Sequence, residues 1–348
     1  MKDVTKSLLR TLYFDTGTDE LVIIDQTRLP GELVYKRISA PRDLYESIKT
    51  LALRGAPAIG VGAALGLYAC ACRFEDVTAE GFSYSFKKTC EFISSSRPTA
   101  RDLFYACERM IAACGRGNTL KKKLAELRKE AFDIEKENIA VCHSIGSFGE
   151  QLLSDGCTVI THCNAGSLCA VEYGTALAPI YEAVARGKNV RVYADETRPL
   201  LQGARLTCFE LCSAGIDTTL ICDNMAAGLM AAGKIDIAIV GCDRVAANGD
   251  FANKTGTLSL AVNCAHFGVP FYVAAPSSTV DKNIPDGSAI VIEHRKPEEV
   301  TEYFYKERMS PEGVKVYNPA FDVTPASLVT GYITEKGVFD NKHISEFI

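Results

Sequence analysis

Short runs of apolar, β-forming residues alternate with helical segments in the second half of the chain, and this alternation constrains the fold more than any other feature. The runs are residues 158–160, 190–193, 219–221, 237–240, 271–274 and 290–292. Continuous apolar runs separated by helices are typical of a parallel sheet covered on both faces. We therefore predict a Rossmann-like parallel-sheet domain over residues 155–348.

Polar residues directly follow five of the strand-like runs. The groups are His162 to Asn164, Asp195 to Arg198, Asp223 and Asn224, Asp243 and Arg244, and Ser277 and Ser278. The carboxyl ends of parallel strands lie at one edge of a sheet, and open α/β sheets bind ligands in the crevice outside that edge. We therefore expect these polar groups to line a single crevice.

Cys163 has the most reactive side chain of this predicted crevice. It follows the first apolar run and precedes residues 168–185, which have the pattern of a long helix. A thiol close to the positive end of a helix is held more readily as a thiolate. Position alone still favours the simpler interpretation, because most cysteines are small buried apolar groups. His162 is the neighbour of Cys163 in sequence, so we expect its side chain to face away from the thiol.

The first half of the chain has a different pattern. Short β-like runs at residues 12–15, 21–25 and 32–36 predict a small antiparallel sheet. Helical spacing follows at residues 43–53, 79–95, 100–114 and 120–153. The predicted fold class is therefore α/β, with a small amino-terminal antiparallel β flap plus helical domain followed by the Rossmann-like domain. We place the first domain at residues 1–118 and a long connecting helix at residues 119–154.

Composition excludes several classes of partner. The chain has 348 residues, of which 47% are hydrophobic and 23% charged, and a net charge of −5 gives no basic footprint for nucleic acid. The charge-free stretch at residues 55–72 is rich in Gly and Ala, so we interpret it as a buried, tightly packed helix and not as a membrane span. Residues 1–6 are charged and lead into no apolar core, so we expect no export signal and a cytoplasmic protein.

The cysteines and glycines predict neither a metal nor a cofactor. The 14 cysteines are spread along the chain without paired CxxC motifs, which is typical of free thiols in a reducing compartment. The five histidines are scattered, and no zinc-ligand spacing occurs. No GxGxxG follows a predicted strand, and no Walker motif is present, so a nucleotide cofactor is not indicated.

Several long motifs in order closely resemble the S-methyl-5-thioribose-1-phosphate isomerase family. They are DQTRLP (25–30), RGAPAIG (54–60), THCNAGSL (161–168), YADETRPLLQGARLT (193–207), CDNMA (222–226), GCDRVAANGDFANKTGT (241–257) and YNPAFDVTP (317–325). The resemblance covers nearly the whole chain. This family belongs to a superfamily that includes the regulatory subunits of translation initiation factor 2B and ribose-1,5-bisphosphate isomerase.

The resemblance implies an aldose–ketose isomerase of methionine salvage that converts 5-methylthioribose 1-phosphate to 5-methylthioribulose 1-phosphate. The family's catalytic residues map onto Cys163 and Asp243. Its substrate-binding residues map onto Arg54, Gly55, Ala56, Arg97, Gln202, Asn253 and Lys254. Members of the family are homodimers. We also expect turnover of 5-deoxyribose 1-phosphate, because a hydrophobic pocket discriminates small apolar differences by only about 1–3 kcal/mol.

The chemistry explains why a carboxyl group and a thiol are needed. Phosphate on the anomeric oxygen prevents simple opening of the sugar, so the bond from the ring oxygen to carbon 1 must break. Asp243 is our candidate general acid, and we expect an apolar setting to keep it protonated. Cys163 is the candidate base that would take the proton from carbon 2. A direct hydride shift from carbon 2 to carbon 1 is an open alternative.

Two other functions compete with this interpretation. A ribose-1,5-bisphosphate isomerase would need a further cationic subsite at carbon 5, and the motif at residues 25–30 favours the methylthioribose branch instead. A non-enzymatic regulatory subunit would bind a sugar phosphate or a protein partner. The joint presence of Arg54, Cys163, Asp243 and Lys254 argues against that role.

Overall fold

The computed structural model describes residues 9–97 and 100–341 of the chain. The charged amino terminus, on which the expectation of no export signal rests, lies outside the described residues. The chain divides into two compact units. We call Leu9–Ala140 with Ser167–Gly174 the helical unit, and Val141–Gly166 with residues 175–341 the sheet unit. The domain boundaries placed at residues 118 and 154 stay a prediction.

A three-stranded antiparallel sheet opens the helical unit, as the sequence predicts. Its strands are β1 (Leu12–Asp15), β2 (Glu20–Ile24) and β3 (Tyr35–Ile38), in the order β1-β2-β3. Leu12 lies opposite Ile23, and Leu21 lies opposite Ile38. All four of these side chains are fully buried, so the sheet forms part of the unit's hydrophobic core. The third strand begins three residues later than predicted.

Five helices complete the helical part of the chain. They are α1 (Pro41–Lys49), α2 (Ala56–Ala71), α3 (Ala79–Ser94), α4 (Arg101–Arg116) and α5 (Leu120–Glu150), and the last continues into the sheet unit. Almost every residue of α2 is buried. A Cβ on Gly62 would lie 2.5 Å from Leu53, and one on Gly66 would lie 2.8 Å from Leu44. The glycines therefore permit close packing, which confirms that α2 is a buried helix.

Membrane-spanning helices are absent from the part of the chain that the structure describes: none of its helices is both long and apolar enough to cross a bilayer.

The sheet unit contains two sheets within its described residues. The strands are β4 (Thr158–Thr161), β5 (Arg191–Asp195), β6 (Asp217–Ile221), β7 (Ile237–Val240), β8 (Arg244–Ala246), β9 (Phe251–Lys254), β10 (Phe271–Ala274), β11 (Val280–Asp281), β12 (Phe321–Thr324), β13 (Gly331–Thr334) and β14 (Gly337–Asp340). The larger sheet has the order β14-β13-β10-β7-β4-β5-β6, and only β14 runs antiparallel. The smaller sheet has the order β11-β8-β9-β12. The large, mainly parallel sheet confirms the predicted fold class.

Five α-helices lie in the described part of the sheet unit. They are α6 (Ala178–Ala185), α7 (Cys208–Ser213), α8 (Ala226–Ala231), α9 (Thr257–Phe267) and α10 (Glu298–Thr301). The long helix predicted from residue 168 is wrong, because α6 begins only at Ala178 and a single 3-10 turn, Ser167–Cys169, precedes it. Tyr173 and Gly174 adopt left-handed backbone angles, which an α-helix cannot contain. Cys163 therefore does not precede the start of a long helix.

One predicted strand is also wrong. Residues 290–292 form no strand, and Val291 is 83% exposed. An apolar run of three residues is too short for periodicity to identify its structure. The strand beside β10 is instead β13, whose residues Gly331 to Thr334 are all buried. Neither this strand nor the four-stranded sheet was predicted from the sequence.

Candidate active site

The two candidate catalytic residues follow neighbouring strands of the large sheet. β4 and β7 are parallel and adjacent, with Ile160 opposite Ala238. Cys163 comes two residues after β4 ends, and Asp243 comes three residues after β7 ends. Both residues therefore leave the sheet at the same edge, the carboxyl edge at which α/β sheets bind ligands.

Cys163 occupies a strained turn held by two threonines. Its backbone φ is +64°, which costs a non-glycine residue free energy and is found mainly where the surroundings enforce it. The Cys163 N–H donates to Thr197 Oγ1 at 2.8 Å, and Thr207 Oγ1 donates to the Cys163 carbonyl at 2.6 Å. Thr197 itself has a φ of +63°. Cys163 is half-buried in this turn, whose backbone the two threonines hold.

The residues on either side of Cys163 anchor the turn to buried acids. His162 Nδ1 lies 2.9 Å from Asp195 Oδ2, and His162 Nε2 lies 2.9 Å from the Thr255 carbonyl oxygen. Asn164 Nδ2 donates to Glu210 Oε1 at 2.6 Å. These polar side chains are all buried. His162 therefore points toward Asp195 and Thr255. That its side chain faces away from the thiol stays a prediction.

Burial and charge act in opposite directions on the His162 imidazole. Burial by itself lowers the pKa of His162, but the hydrogen bond to Asp195 and the nearby Asp223 carboxylate outweigh it and raise that pKa. Burial also raises the pKa of Asp195, although the hydrogen bond from His162 opposes the change. A carbonyl oxygen accepts only, so Nε2 donates to Thr255. Both shifts favour a proton retained between the two side chains.

His162, Asp195 and Asp223 are also the one group among the described residues with the composition of a cation site, since their ligand atoms lie within 4.8 Å of one another. Their hydrogen bonds explain the arrangement without a metal. Asp223 accepts the N–H groups of Thr197 and Arg198 at 2.7 and 2.8 Å. We therefore interpret the group as a hydrogen-bonded cluster. The sequence prediction of no metal and no cofactor stays a prediction.

Asp243 lies between β7 and β8, where its N–H donates to the Ala252 carbonyl at 3.0 Å. Its side chain is exposed, so the apolar setting expected for this carboxyl is wrong for the structure as it stands. The preceding Gly241 explains the close approach of the Cys163 turn, because a Cβ there would lie 2.7 Å from that of Ala165. The backbone before Asp243 thus packs directly on the turn that carries Cys163.

Three of the predicted substrate-binding residues lie in the sheet unit and are buried. Gln202 is 7% exposed, and its Oε1 has no hydrogen-bond partner within the described residues. Asn253 Nδ2 donates to Thr257 Oγ1 at 3.0 Å. Lys254 Nζ donates to the Ala320 carbonyl at 2.7 Å and lies 4.4 Å from the centre of the Phe321 ring. A buried amide oxygen without a donor costs free energy, so Gln202 is suited to accept from a ligand hydroxyl.

The other four predicted binding residues lie in the helical unit. Arg54 and Gly55 directly precede α2, which begins at Ala56, and Arg97 precedes α4. Gly55 has a φ of +88°, and a Cβ there would lie 2.5 Å from the Cys169 Cα. Only glycine fits both conditions. Pro98 and Thr99, between the predicted helices at residues 79–95 and 100–114, lie outside the described residues.

The support that three residues give to the Cys163 turn was not predicted from the sequence. Thr197 and Thr207 hold its backbone, and Glu210 accepts from Asn164. Thr197 follows a strand-like run and was expected to line the crevice, but its bond to the Cys163 N–H was not predicted. Glu210 lies on α7, where a glutamate usually faces solvent, so no sequence pattern marks it.

Comparisons with known proteins place the chain in a family. The methylthioribose-1-phosphate isomerase of Symbiobacterium thermophilum is 52% identical over 332 residues, which cover 95% of this chain and 92% of the relative. The 5-deoxyribose 1-phosphate isomerase of Moorella thermoacetica is 51% identical over 322 residues, which cover 92% of this chain and 91% of the relative.

Solved structures with the same fold include an isomerase and an initiation factor. The 5-methylthioribose 1-phosphate isomerase from Pyrococcus horikoshii OT3 matches with a TM-score of 0.93 and 38% identity, covering 100% of this chain and 98% of that one. Subunit delta of the translation initiation factor eIF-2B from A. fulgidus matches with a TM-score of 0.88 and 41% identity, covering 95% and 96%. A family model, described as the initiation factor 2 subunit family, matches residues 52–341. Because that match extends over most of the sequence, the chain belongs to the initiation factor 2 subunit family.

Proposed function

We propose that the chain is an aldose–ketose isomerase that converts 5-methylthioribose 1-phosphate to 5-methylthioribulose 1-phosphate. The proposal includes 5-deoxyribose 1-phosphate as a second substrate. One relative is named for each of these two isomerase activities, and both relatives are about half identical to this chain over nearly its full length. The observation that carries the proposal is the strained, hydrogen-bonded turn that presents the Cys163 thiol at the same sheet edge as Asp243.

In the proposed reaction Asp243 donates a proton to the ring oxygen as the bond from that oxygen to carbon 1 breaks. Proton transfer by a positioned side chain contributes about 10²–10⁴-fold to a rate. Asp243 is exposed, so water must be excluded from its carboxyl group before that group can hold its proton near neutral pH. We propose that the bound sugar phosphate excludes this water.

The proposed role of Cys163 is to move the hydrogen from carbon 2. As a thiolate it would take the proton from carbon 2, forming an enediol-type intermediate that is then protonated at carbon 1. A direct hydride shift would instead leave Cys163 to shape the site around the sugar.

Substrate binding in the proposed enzyme draws on cationic and polar side chains. We assign the phosphate to Arg54, Arg97 and Lys254, with backbone N–H groups at the start of α2. Gln202 and Asn253 would bond sugar hydroxyls, and the buried Gln202 Oε1 supports this assignment. We propose that the active form is a cytoplasmic homodimer that needs no cofactor.

The proposal is tested by incubating the purified protein separately with 5-methylthioribose 1-phosphate, 5-deoxyribose 1-phosphate and ribose 1,5-bisphosphate. Ketose formation is followed by a carbonyl-specific assay or by NMR. We expect turnover of the first two sugars. Preference for the bisphosphate would replace the proposed substrate. Absence of turnover with all three would favour a regulatory subunit, a role consistent with the similarity to the eIF-2B subunit.

A further inference from the structure

His162 joins three segments of the sheet unit. Its backbone belongs to the turn after β4, its Nδ1 meets Asp195 at the end of β5, and its Nε2 meets Thr255 directly after β9. The imidazole also packs against Gly256, where a Cβ would lie 2.7 Å from His162 Cε1. One side chain thus connects the Cys163 turn to the chain that follows Lys254.

The segment after β9 is fixed from its other side as well. The Asp322 carboxylate accepts the Gly256 N–H at 2.6 Å and the Leu258 N–H at 3.1 Å. Gly256 has a φ of +104°, so the chain makes a sharp left-handed turn there. The Thr255 carbonyl is therefore held in place and offers His162 a rigid acceptor.

His162 itself cannot reach a substrate. It is 1% exposed, and both of its ring nitrogens have hydrogen-bond partners within the sheet unit. A group that takes no part in proton transfer can still change a rate, because an error of about 1 Å in the position of a reacting group can cost about 10²-fold. The location of His162, one residue from the thiol, is suited to this kind of control.

We propose that His162 is a positioning residue, which uses its two ring hydrogen bonds to hold the Cys163 thiol in register with the substrate-binding residues Asn253 and Lys254. The proposal rests on the isomerase function proposed above. The bond from Nε2 to the Thr255 carbonyl aligns the thiol with β9, the strand that carries Asn253 and Lys254. The bond between Nδ1 and Asp195 orients the imidazole ring.

Two amide substitutions separate the two hydrogen bonds. In H162N the amide nitrogen replaces Nδ1, so the bond to Asp195 can be kept and the bond to Thr255 is lost. In H162Q the amide nitrogen replaces Nε2, so the Thr255 bond can be kept and the Asp195 bond is lost. We expect H162N to lower kcat/KM by about 10²-fold and to raise KM, whereas H162Q stays within about tenfold of wild type. H266Q, which changes an exposed histidine, is the matched control and should have wild-type kinetics.

A second measurement does not depend on turnover. The rate at which iodoacetamide alkylates Cys163 is followed by peptide mass spectrometry, with the exposed Cys212 as an internal reference. We expect faster alkylation of Cys163 in H162N, because the turn is released, and a near wild-type rate in H162Q. The thermal midpoint of each variant reports its folding.

The outcomes distinguish this proposal from the isomerase assignment. If wild-type protein turns over none of the sugars, the isomerase function fails, and the alkylation rates still decide whether His162 positions the thiol. Equal kinetics and equal alkylation in H162N and H162Q would overturn the positioning role. So would a loss of activity that only follows the loss of folded protein.

Discussion

The helical unit and the carboxyl edge of the large sheet bury very different side chains. The helical unit encloses α2, whose buried surface is almost wholly apolar, with the fully buried Leu44 and Phe86 in the surrounding core. The sheet edge instead buries His162, Asp195 and Glu210, each with a hydrogen-bond partner. Apolar burial stabilises a fold without requiring one exact arrangement, whereas buried polar groups must be paired to avoid a large free-energy cost. We infer that the first region supplies stability and the second supplies geometry.

The largest effect should come from the proposed catalytic groups at the sheet edge. Cys163→Ser and Asp243→Asn should each reduce kcat by about 10²–10⁴-fold, because each removes a proton-transfer group. KM and the thermal midpoint should change little. Steady-state kinetics with 5-methylthioribose 1-phosphate test this, with Cys212→Ser as the exposed-thiol control. A variant of either residue that runs at the wild-type rate would contradict its assigned role.

A core substitution in the helical unit should have the opposite signature. Phe86→Ala, in the middle of α3, should lower the free energy of unfolding by about 3–5 kcal/mol, because Phe86 is 1% exposed and the change leaves a cavity. Turnover per folded molecule should stay near the wild-type value. Urea titration gives the stability, and Tyr84→Ala on the same helix, at a site 67% exposed, is the control. A large loss of kcat in folded Phe86→Ala protein would contradict the inference that the helical unit supplies stability and the sheet edge supplies geometry.

Glycines at the sheet edge should combine both effects. A Cβ on Gly203 would lie 1.7 Å from the Asp195 carbonyl oxygen, so Gly203→Ala must move the backbone beside Gln202. Overpacking of this kind typically costs about 1–3 kcal/mol, and we expect turnover to fall with stability. Gly228→Ala on α8 meets no atom within 4 Å and should stabilise the helix slightly. Similar melting curves for the two variants would show that the edge is more adaptable than proposed.

The smallest effect should be the pH dependence that His162 contributes. Its pKa lies above the usual 6.5, so its stabilising contribution is complete below pH 6.5 and is lost as the pH rises through the raised pKa. The buried Asp195 and Asp322 also have raised pKa values, which act in the same direction at lower pH. Asp223, 4.0 Å from Nδ1, also faces the imidazole.

Thermal midpoints of wild type and H162Q measured across neutral and alkaline pH test this contribution. We expect the difference between the two proteins to be largest at the acidic end of the series and to shrink as the pH rises, because the deprotonated imidazole loses its attraction for Asp195. A difference that grows with pH would show that His162 is neutral in the folded protein.

The sequence by itself determined the order of elements and the chemical character of the sheet edge. The runs at residues 237–240 and 271–274 coincide with β7 and β10, since buried parallel strands are continuously apolar. Polar residues after the runs correctly marked Asp195 and Asp223 as members of one cluster. Local patterns are enough for such features, because they depend on neighbours along the chain.

Only the tertiary structure decided how the Cys163 turn is held and how exposed Asp243 is. The predicted helix from residue 168 is wrong because residues 167–174 belong to the helical unit. That placement depends on contacts with residues far away in the sequence, which helical periodicity cannot predict. The bonds from Asn164 to Glu210 and from His162 to Thr255 join residues 46 and 93 positions apart. Pairings over such separations depend on how the strands are ordered in the sheet, and no local pattern encodes that order.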